Sequence, residues 1–271
     1  MTHPLFDLTG RVAIVSGAAS GMGRITSIGY AEVGADVVLL DINEVGAQET
    51  ANEIEKMGRR ALPVNCDISD PDQIRAMFEL VDSEFGRVDV LSNIAGEGIR
   101  TDPLNLKEDQ IQQVIQNLVV GRYICTQEAA KRMMSRGRGS IFSIVSIAGI
   151  SALGRGHIAY SMAMGAVGAM TRELSTEWSS LGVRVNAIVC AQIMNEDLRV
   201  RIEADPALGA SYLRGLPIGR MGDPSDIKGP AIFLASDASA WMTGALIPLD
   251  GGNLAKNVSG SHPGMPAVVP A

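Results

Sequence analysis

The sequence predicts an α/β fold, a doubly wound parallel sheet of about seven strands with helices on both faces. Three observations carry this expectation. Short runs rich in Val, Ile and Leu alternate with helical stretches along the whole chain, which is the pattern of βαβ units. The strand runs are nearly continuous in apolar residues, as strands buried on both faces are. A glycine-rich turn, Gly17, Gly21 and Gly23, stands between the first strand and the first helix.

Taken in order, Arg11 to Ser16 is a β-rich run, and the glycine turn leads into a helical pattern ending at Val33. Asp36 to Leu40 reads as a second strand that ends at Asp41. A charged amphipathic helix, Glu44 to Met57, leads to a third strand, Ala61 to Asn65, just before Asp67. A helix over Pro71 to Phe85 precedes a fourth strand, Val88 to Ser92, and the segment Asn93 to Gly96. Two helices are expected between Lys107 and Met134. A fifth strand, Ile141 to Val145, ends just before Ser146; a Gly-rich loop follows, then Tyr160 within a largely apolar helix, Ala159 to Met170. Val183 to Val189 and Ala245 to Leu249 complete the sheet. Residues 1–252 thus read as one domain. The remainder, 253–271, rich in Gly, Pro, Ser and Asn without periodicity, reads as a tail that is either disordered or packed on a neighbouring subunit.

Composition narrows the function. The 271 residues are 46% apolar, enough for an ample core. A net charge of −7 argues against nucleic acid or an anionic membrane surface as partner. The three cysteines, Cys66, Cys125 and Cys190, are far apart, form no metal-ligand spacing and fit a reducing compartment. No apolar run approaches the roughly 18 residues of a membrane span, and the first residues lack a basic region followed by an apolar core. A cytoplasmic protein is expected.

The glycine turn carries chemistry. Glycines between a strand and a helix let backbone N–H groups approach a pyrophosphate at the positive helix end. Glycines alone are weak evidence, since turns use them anyway. The added signal is Asp41 at the end of the second strand, where a carboxylate can accept hydrogen bonds from adenosine ribose hydroxyls and repel a 2′-phosphate. No Arg or Lys lies in the loop before Met22 or directly after Asp41. NAD is therefore expected over NADP; the alternative is that Asp41 only caps the next helix.

The loop SGAASGMG, Asp67, the SNIAG segment, the Ser146/Tyr160 pair and the ending TGALIPLDGG together resemble the classical short-chain dehydrogenase/reductases, over about Leu8 to Gly252. The resemblance implies a single Rossmann-like domain, a dimer or tetramer, and an NAD-dependent oxidoreductase acting on a small alcohol or ketone. It places Gly17, Ser20, Gly21, Met22, Gly23, Asp41 and Ile42 around the adenosine and pyrophosphate. Asp67 and Ile68 would flank the adenine, and Asn93, Ala95 and Gly96 the cofactor's middle. Tyr160, Ile193 and Asn195 would border the nicotinamide, Ser146 would hold the substrate oxygen, and Tyr160 would exchange its proton. No metal is implied.

Two positions depart from the family. Its lysine, one helical turn after the tyrosine, is Met164, and its asparagine on an earlier helix is Leu118, with Asn117 one residue early. A one-residue step turns an α-helical side chain by about 100°, which would carry Asn117 away. A phenol of pKa about 10 is roughly one part in a thousand ionised at pH 7, and a nearby cation lowers a pKa by about one to three units. Alcohol oxidation, which needs the base, should suffer more than carbonyl reduction. His157, Arg155, Arg172 and Arg100 are the candidate replacement cations or substrate contacts. Three readings stay open: an oxidoreductase with an altered site, a lyase or isomerase on the same fold, and a catalytically silent NAD-binding sensor or oligomer partner. Gln192 to Met221, mixed in character, is the expected pocket lid.

Overall fold

The computed structural model describes residues 3–257, 260–263 and 265. Seven parallel strands form one sheet in the order β3-β2-β1-β4-β5-β6-β7. They are β1 (Val12–Ser16), β2 (Asp36–Asp41), β3 (Ala61–Asn65), β4 (Val90–Asn93), β5 (Gly139–Ser146), β6 (Val183–Cys190) and β7 (Leu246–Leu249). Both prolines within strands, Pro63 and Pro248, lie on the edge strands β3 and β7, where a missing N–H breaks no interior ladder.

Alternation along each strand divides the core. Ala13, Val15, Val37, Leu39, Val90 and Phe142 pack on one face, with Tyr30 and Ala31 of α1 (Gly21–Glu32), Ile54 of α2 (Glu44–Lys56) and Leu234 of α9 (Lys228–Ala235). Their sequence neighbours Val12, Ile14, Val38, Leu91 and Ile141 pack on the other, with Phe78 of α3 (Pro71–Phe85) and Met133 of α5 (Arg122–Ser135). Strands coated on both sides explain the unbroken apolar runs. A third cluster joins the β5 and β6 ends to α6 (Ile158–Trp178) through Val145, Val189, Ala163 and Met164.

Two boundaries differ from expectation. The helix carrying Tyr160 runs on to Trp178, because Thr171, Leu174 and Ser175 continue its buried stripe past Met170. The two helices expected before Met134 are α4 (Glu108–Ile115) and α5, joined without a break by a π-helical turn, Gln116–Gly121. Beyond Gly252, Asn253 donates to the Gly215 carbonyl and Leu254 packs on the third cluster; tail residues 258, 259, 264 and 266–271 lie outside the described residues. The expected lid carries α7 (Glu196–Ala204) and α8 (Pro206–Leu213). Among the described residues no helix is long and apolar enough to cross a membrane, and no group of three or more His, Cys, Asp or Glu could hold a metal ion.

Candidate active site

Strand order reverses between β1 and β4, and a cleft of about 630 Å³ opens at the C-terminal ends of the strands there, where α/β sheets take ligands. Its floor is the glycine turn. Gly17 adopts φ +73° and donates to the Leu40 carbonyl at 2.8 Å, which bends the chain back over β2. A Cβ on Gly23 would lie 1.9 Å from the Gly17 carbonyl oxygen, so the first turn of α1 closes directly onto the loop. Ser20, Gly21 and Met22 line the cleft beside them, and Ser20, the α1 N-cap, makes no side-chain cap bond. The helix therefore presents unpaired N–H groups to the cleft.

Asp41 does more than sequence reasoning expected. Its two oxygens accept from the Ala19 and Asn43 backbone N–H groups, both at 2.9 Å, bracing the glycine loop against β2. The cap of α2 is Asn43, which accepts from Gly46 N–H. Asp41 and Ile42 line the cleft with Asp67 and Ile68, and the opposite wall includes Ala95, Gly96, Ile193 and Asn195. Its lining holds three carboxylates, Asp41, Asp67 and Glu97, and no Lys or Arg. Asn195 also caps α7, accepting from Leu198 N–H at 2.8 Å.

Asn93 stands behind the wall. It is 1% exposed and donates to the Thr126 hydroxyl at 2.9 Å and that of Ser143 at 3.4 Å, tying β4 to α5 and β5. It supports the cleft from a site where β4 is still inside the sheet. Ser16 does similar work at the end of β1, accepting from the Ile94 and Ala95 N–H groups.

Ser146 and Tyr160 are not part of the cleft lining; Tyr160 packs behind Gly98 of the wall, and Ser146 closes β5 in register with Cys190 of β6. The Ser146 hydroxyl accepts from Ala148 N–H at 3.1 Å and acts on the Tyr160 hydroxyl. Gly98 holds the tyrosine from above, since a Cβ there would lie 2.7 Å from its ring. Burial pushes the Tyr160 phenol above its ordinary range, while Ser146 and the positive charge of Arg122 pull the other way. Burial also lifts the Cys190 thiol to about 12, so it sits beside the pair as a neutral, inert group.

Met164 is 2% exposed among Ala163, Val167 and Val145, and brings no charge. His157 does not replace the missing cation. Its ring meets that of Tyr160 edge-on at 6.0 Å, but burial first, and then the charges of Arg100, Arg155 and Arg201, hold it below its ordinary range and so neutral near pH 7. Arg172 lies exposed on α6, away from the buried stripe.

The expected loss of Asn117 is not what the fold shows. Asn117 lines the cleft, with its Oδ1 buried and unpartnered and close under Gly96, while Leu118 is fully buried in the core. The two positions thus face apart, as consecutive helical residues do, and it is 117 and not 118 that meets the cleft. Sequence reasoning also missed Arg122. This guanidinium is 2% exposed, and a readable signal existed: Arg122 shares its helical stripe with Cys125, Thr126, Ala129, Ala130 and Met133, a charge on an otherwise buried face.

Comparison with known proteins agrees with this geometry. The family model described as enoyl-(acyl carrier protein) reductase matches residues 17–253. A 2-dehydro-3-deoxy-D-gluconate 5-dehydrogenase of Pseudoalteromonas atlantica is 34% identical over 252 residues, covering 91% of this chain and 97% of the relative. A D-threitol dehydrogenase of Mycolicibacterium smegmatis is 34% identical, covering 91% and 94%. A gluconate 5-dehydrogenase from Burkholderia cenocepacia, crystallised with NADP and tartrate, superposes with a TM-score of 0.88 at 28% identity, covering 94% of this chain and 99% of its own. With the glycine-floored cleft at the strand-order switch and Tyr160 packed behind its Gly98 wall, these matches place the chain in the short-chain dehydrogenase/reductase family of oxidoreductases.

Proposed function

We propose that this protein is an NAD(H)-dependent dehydrogenase that interconverts a secondary alcohol and a ketone on a small, carboxylate-bearing polyhydroxy compound. The observation that carries the redox reading is Ser146 acting on Tyr160, whose ring packs directly behind Gly98 of the cleft wall. The residues present fit a dinucleotide. Gly17, Gly23 and the open N-terminus of α1 leave room for a pyrophosphate and offer it backbone donors, and Asp41 stands at the ribose position. A lining with no Lys or Arg supports NAD over NADP, although the Burkholderia structure holds NADP.

When bound, the nicotinamide supplies or accepts the hydride. The chain's own part is positioning and proton transfer. Ser146 holds the substrate oxygen, and the Tyr160 hydroxyl gives it a proton in reduction and takes one back in oxidation. The unpartnered Asn117 Oδ1 faces the same cleft and can hold a water there.

The substrate class rests on the mouth. Arg100 and Arg155 form no ion pair with any carboxylate among the described residues, and both act on His157 beside Tyr160. Arg155 lies over the Tyr212 ring at 4.5 Å, which holds it in place. Two cations without anions around His157, whose ring meets that of Tyr160, suit a carboxylate. The Pseudoalteromonas relative is named for a sugar acid, whereas the Mycolicibacterium one is named for a neutral polyol.

The test follows absorbance of the reduced nicotinamide while keto acids and neutral ketones are screened with NADH. Oxidation of NADH by a keto acid, lost in Tyr160→Phe and weakened in Arg100→Gln, supports the reading. Tight NADH binding without turnover across the panel overturns it in favour of the lyase, isomerase or silent sensor.

A further inference from the structure

We propose that Arg122 supplies, from α5, the positive charge that Met164 does not supply from α6, and that it acts as a positioning residue stabilising the Tyr160 phenolate during alcohol oxidation. This rests on the reading of Tyr160 as the proton-transferring group.

The geometry of the guanidinium is unusual for a structural arginine. It is 2% exposed and makes no ion pair with any carboxylate among the described residues. Nη1 donates to the Ile144 carbonyl at 2.6 Å and Nη2 to the Ala95 carbonyl at 2.8 Å. Longer bonds of 3.3 Å run from Nη2 to Ile94 O and from Nε to Ala95 O. These carbonyls belong to the wall segment after β4 and to the strand that ends in Ser146, so the charge is built into the site. Four of its five N–H groups are used; the fifth, on Nη1, has no acceptor among the described residues.

A buried cation without a counter-ion is expensive to keep. Burial pulls the Arg122 guanidinium down to about 10, while Tyr160 and Cys125 act the other way. The charge becomes favourable when an anion forms close by, and Tyr160, on which it already acts, is the group that becomes one. The other groups acting on Tyr160 do not substitute. Ser146 is a neutral donor, Cys190 is a neutral thiol, and the His157 ring, 6.0 Å away, is held neutral. Cys125, the other group acting on Arg122, is a thiol that burial keeps protonated.

The experiment compares wild type, Arg122→Gln, Arg122→Lys and the double variant Arg122→Gln/Met164→Lys. Two readouts are taken: the pH profile of the oxidation rate, and the ultraviolet titration of the Tyr160 phenol, as the difference from the matching Tyr160→Phe protein. Removing the charge should move the phenol titration and the alkaline limb of oxidation up by about one unit or more. Oxidation near neutral pH then falls about tenfold or more, while carbonyl reduction, which uses the protonated phenol, changes little. Arg122→Lys should retain much of the wild-type limb, and the double variant should regain it with the charge delivered from the other helix. A brace for three carbonyls could not be rescued from position 164.

An unshifted phenol titration in Arg122→Gln, or equal losses in both directions at every pH, overturns the proposal. Should that variant not fold, an upward-shifted limb in Arg122→Lys does so instead. The phenol titration needs no turnover, so it decides the role of Arg122 even if no redox substrate exists and the functional reading fails.

Discussion

Asp41 should give NADH a preference over NADPH that can be worked from the cleft. A phosphate monoester carries about −1.5 to −2 charges at pH 7, and at the ribose position it would meet the Asp41 carboxylate with no cation in the lining. Two unit charges about 4 Å apart interact by about 1 kcal/mol in water and about 4 kcal/mol at the effective dielectric of a protein surface. The site lies between these limits, since Ile42 is 71% exposed while Leu40 is 1% exposed. A repulsion of about 2–4 kcal/mol corresponds to a preference of about 30- to 1000-fold. The informative variant is Asp41→Asn, because deleting the side chain would release both loop N–H groups that it braces. Asparagine keeps one acceptor and drops the charge. NADPH binding should then strengthen by about tenfold or more, and NADH binding should weaken. Ile42→Arg adds a cation at the rim without touching the brace and should favour NADPH further. Calorimetric Kd values for both cofactors on all three proteins decide the matter. Equal wild-type affinities, or a ratio unmoved in Asp41→Asn, would refute the assignment.

Gly23→Ala should weaken NADH binding by at least about tenfold and lower stability by about 1–3 kcal/mol, because its Cβ would overlap the Gly17 carbonyl; binding and melting unlike this would show that the turn can shift. Because burial raises the Tyr160 phenol, its base form is scarce at neutral pH, so oxidation should climb with pH into the alkaline range while reduction stays flat around pH 7. An oxidation plateau reached below about pH 8 would mean a phenol well under its ordinary value of about 10. At the opposite end of the sheet, Asp89 accepts from Val12 N–H and from two nitrogens of Arg87. Asp89→Ala should lower stability by about 2–4 kcal/mol and leave the NADH Kd unchanged; a changed Kd in the folded variant would contradict the separation of brace from cleft.

Much of this molecule is readable without coordinates. The apolar runs of β1, β2, β5 and β6 announce a parallel sheet because strands covered on both faces have no polar side to show. Gly17, Gly23 and Asp41 are likewise legible, because their chemistry depends on local backbone geometry at a strand end. The pairing of Ser146 with Tyr160 is read from their motif, and in the fold Ser146 acts on Tyr160.

The tertiary structure decided three further matters. Asn93 lies inside the sheet edge and not in the cleft, because β4 extends one residue further than its apolar run. Asn117, and not position 118, faces the cleft, because how the helix packs on the sheet decides which of two neighbouring positions turns outward. A charge that acts on the tyrosine comes from Arg122, on a different helix from the one that carries Tyr160. Helical spacing reports only what lies along one element. Which charge faces which hydroxyl depends on how α5 and α6 pack around the ends of β4 and β5, and that packing is a property of the folded chain.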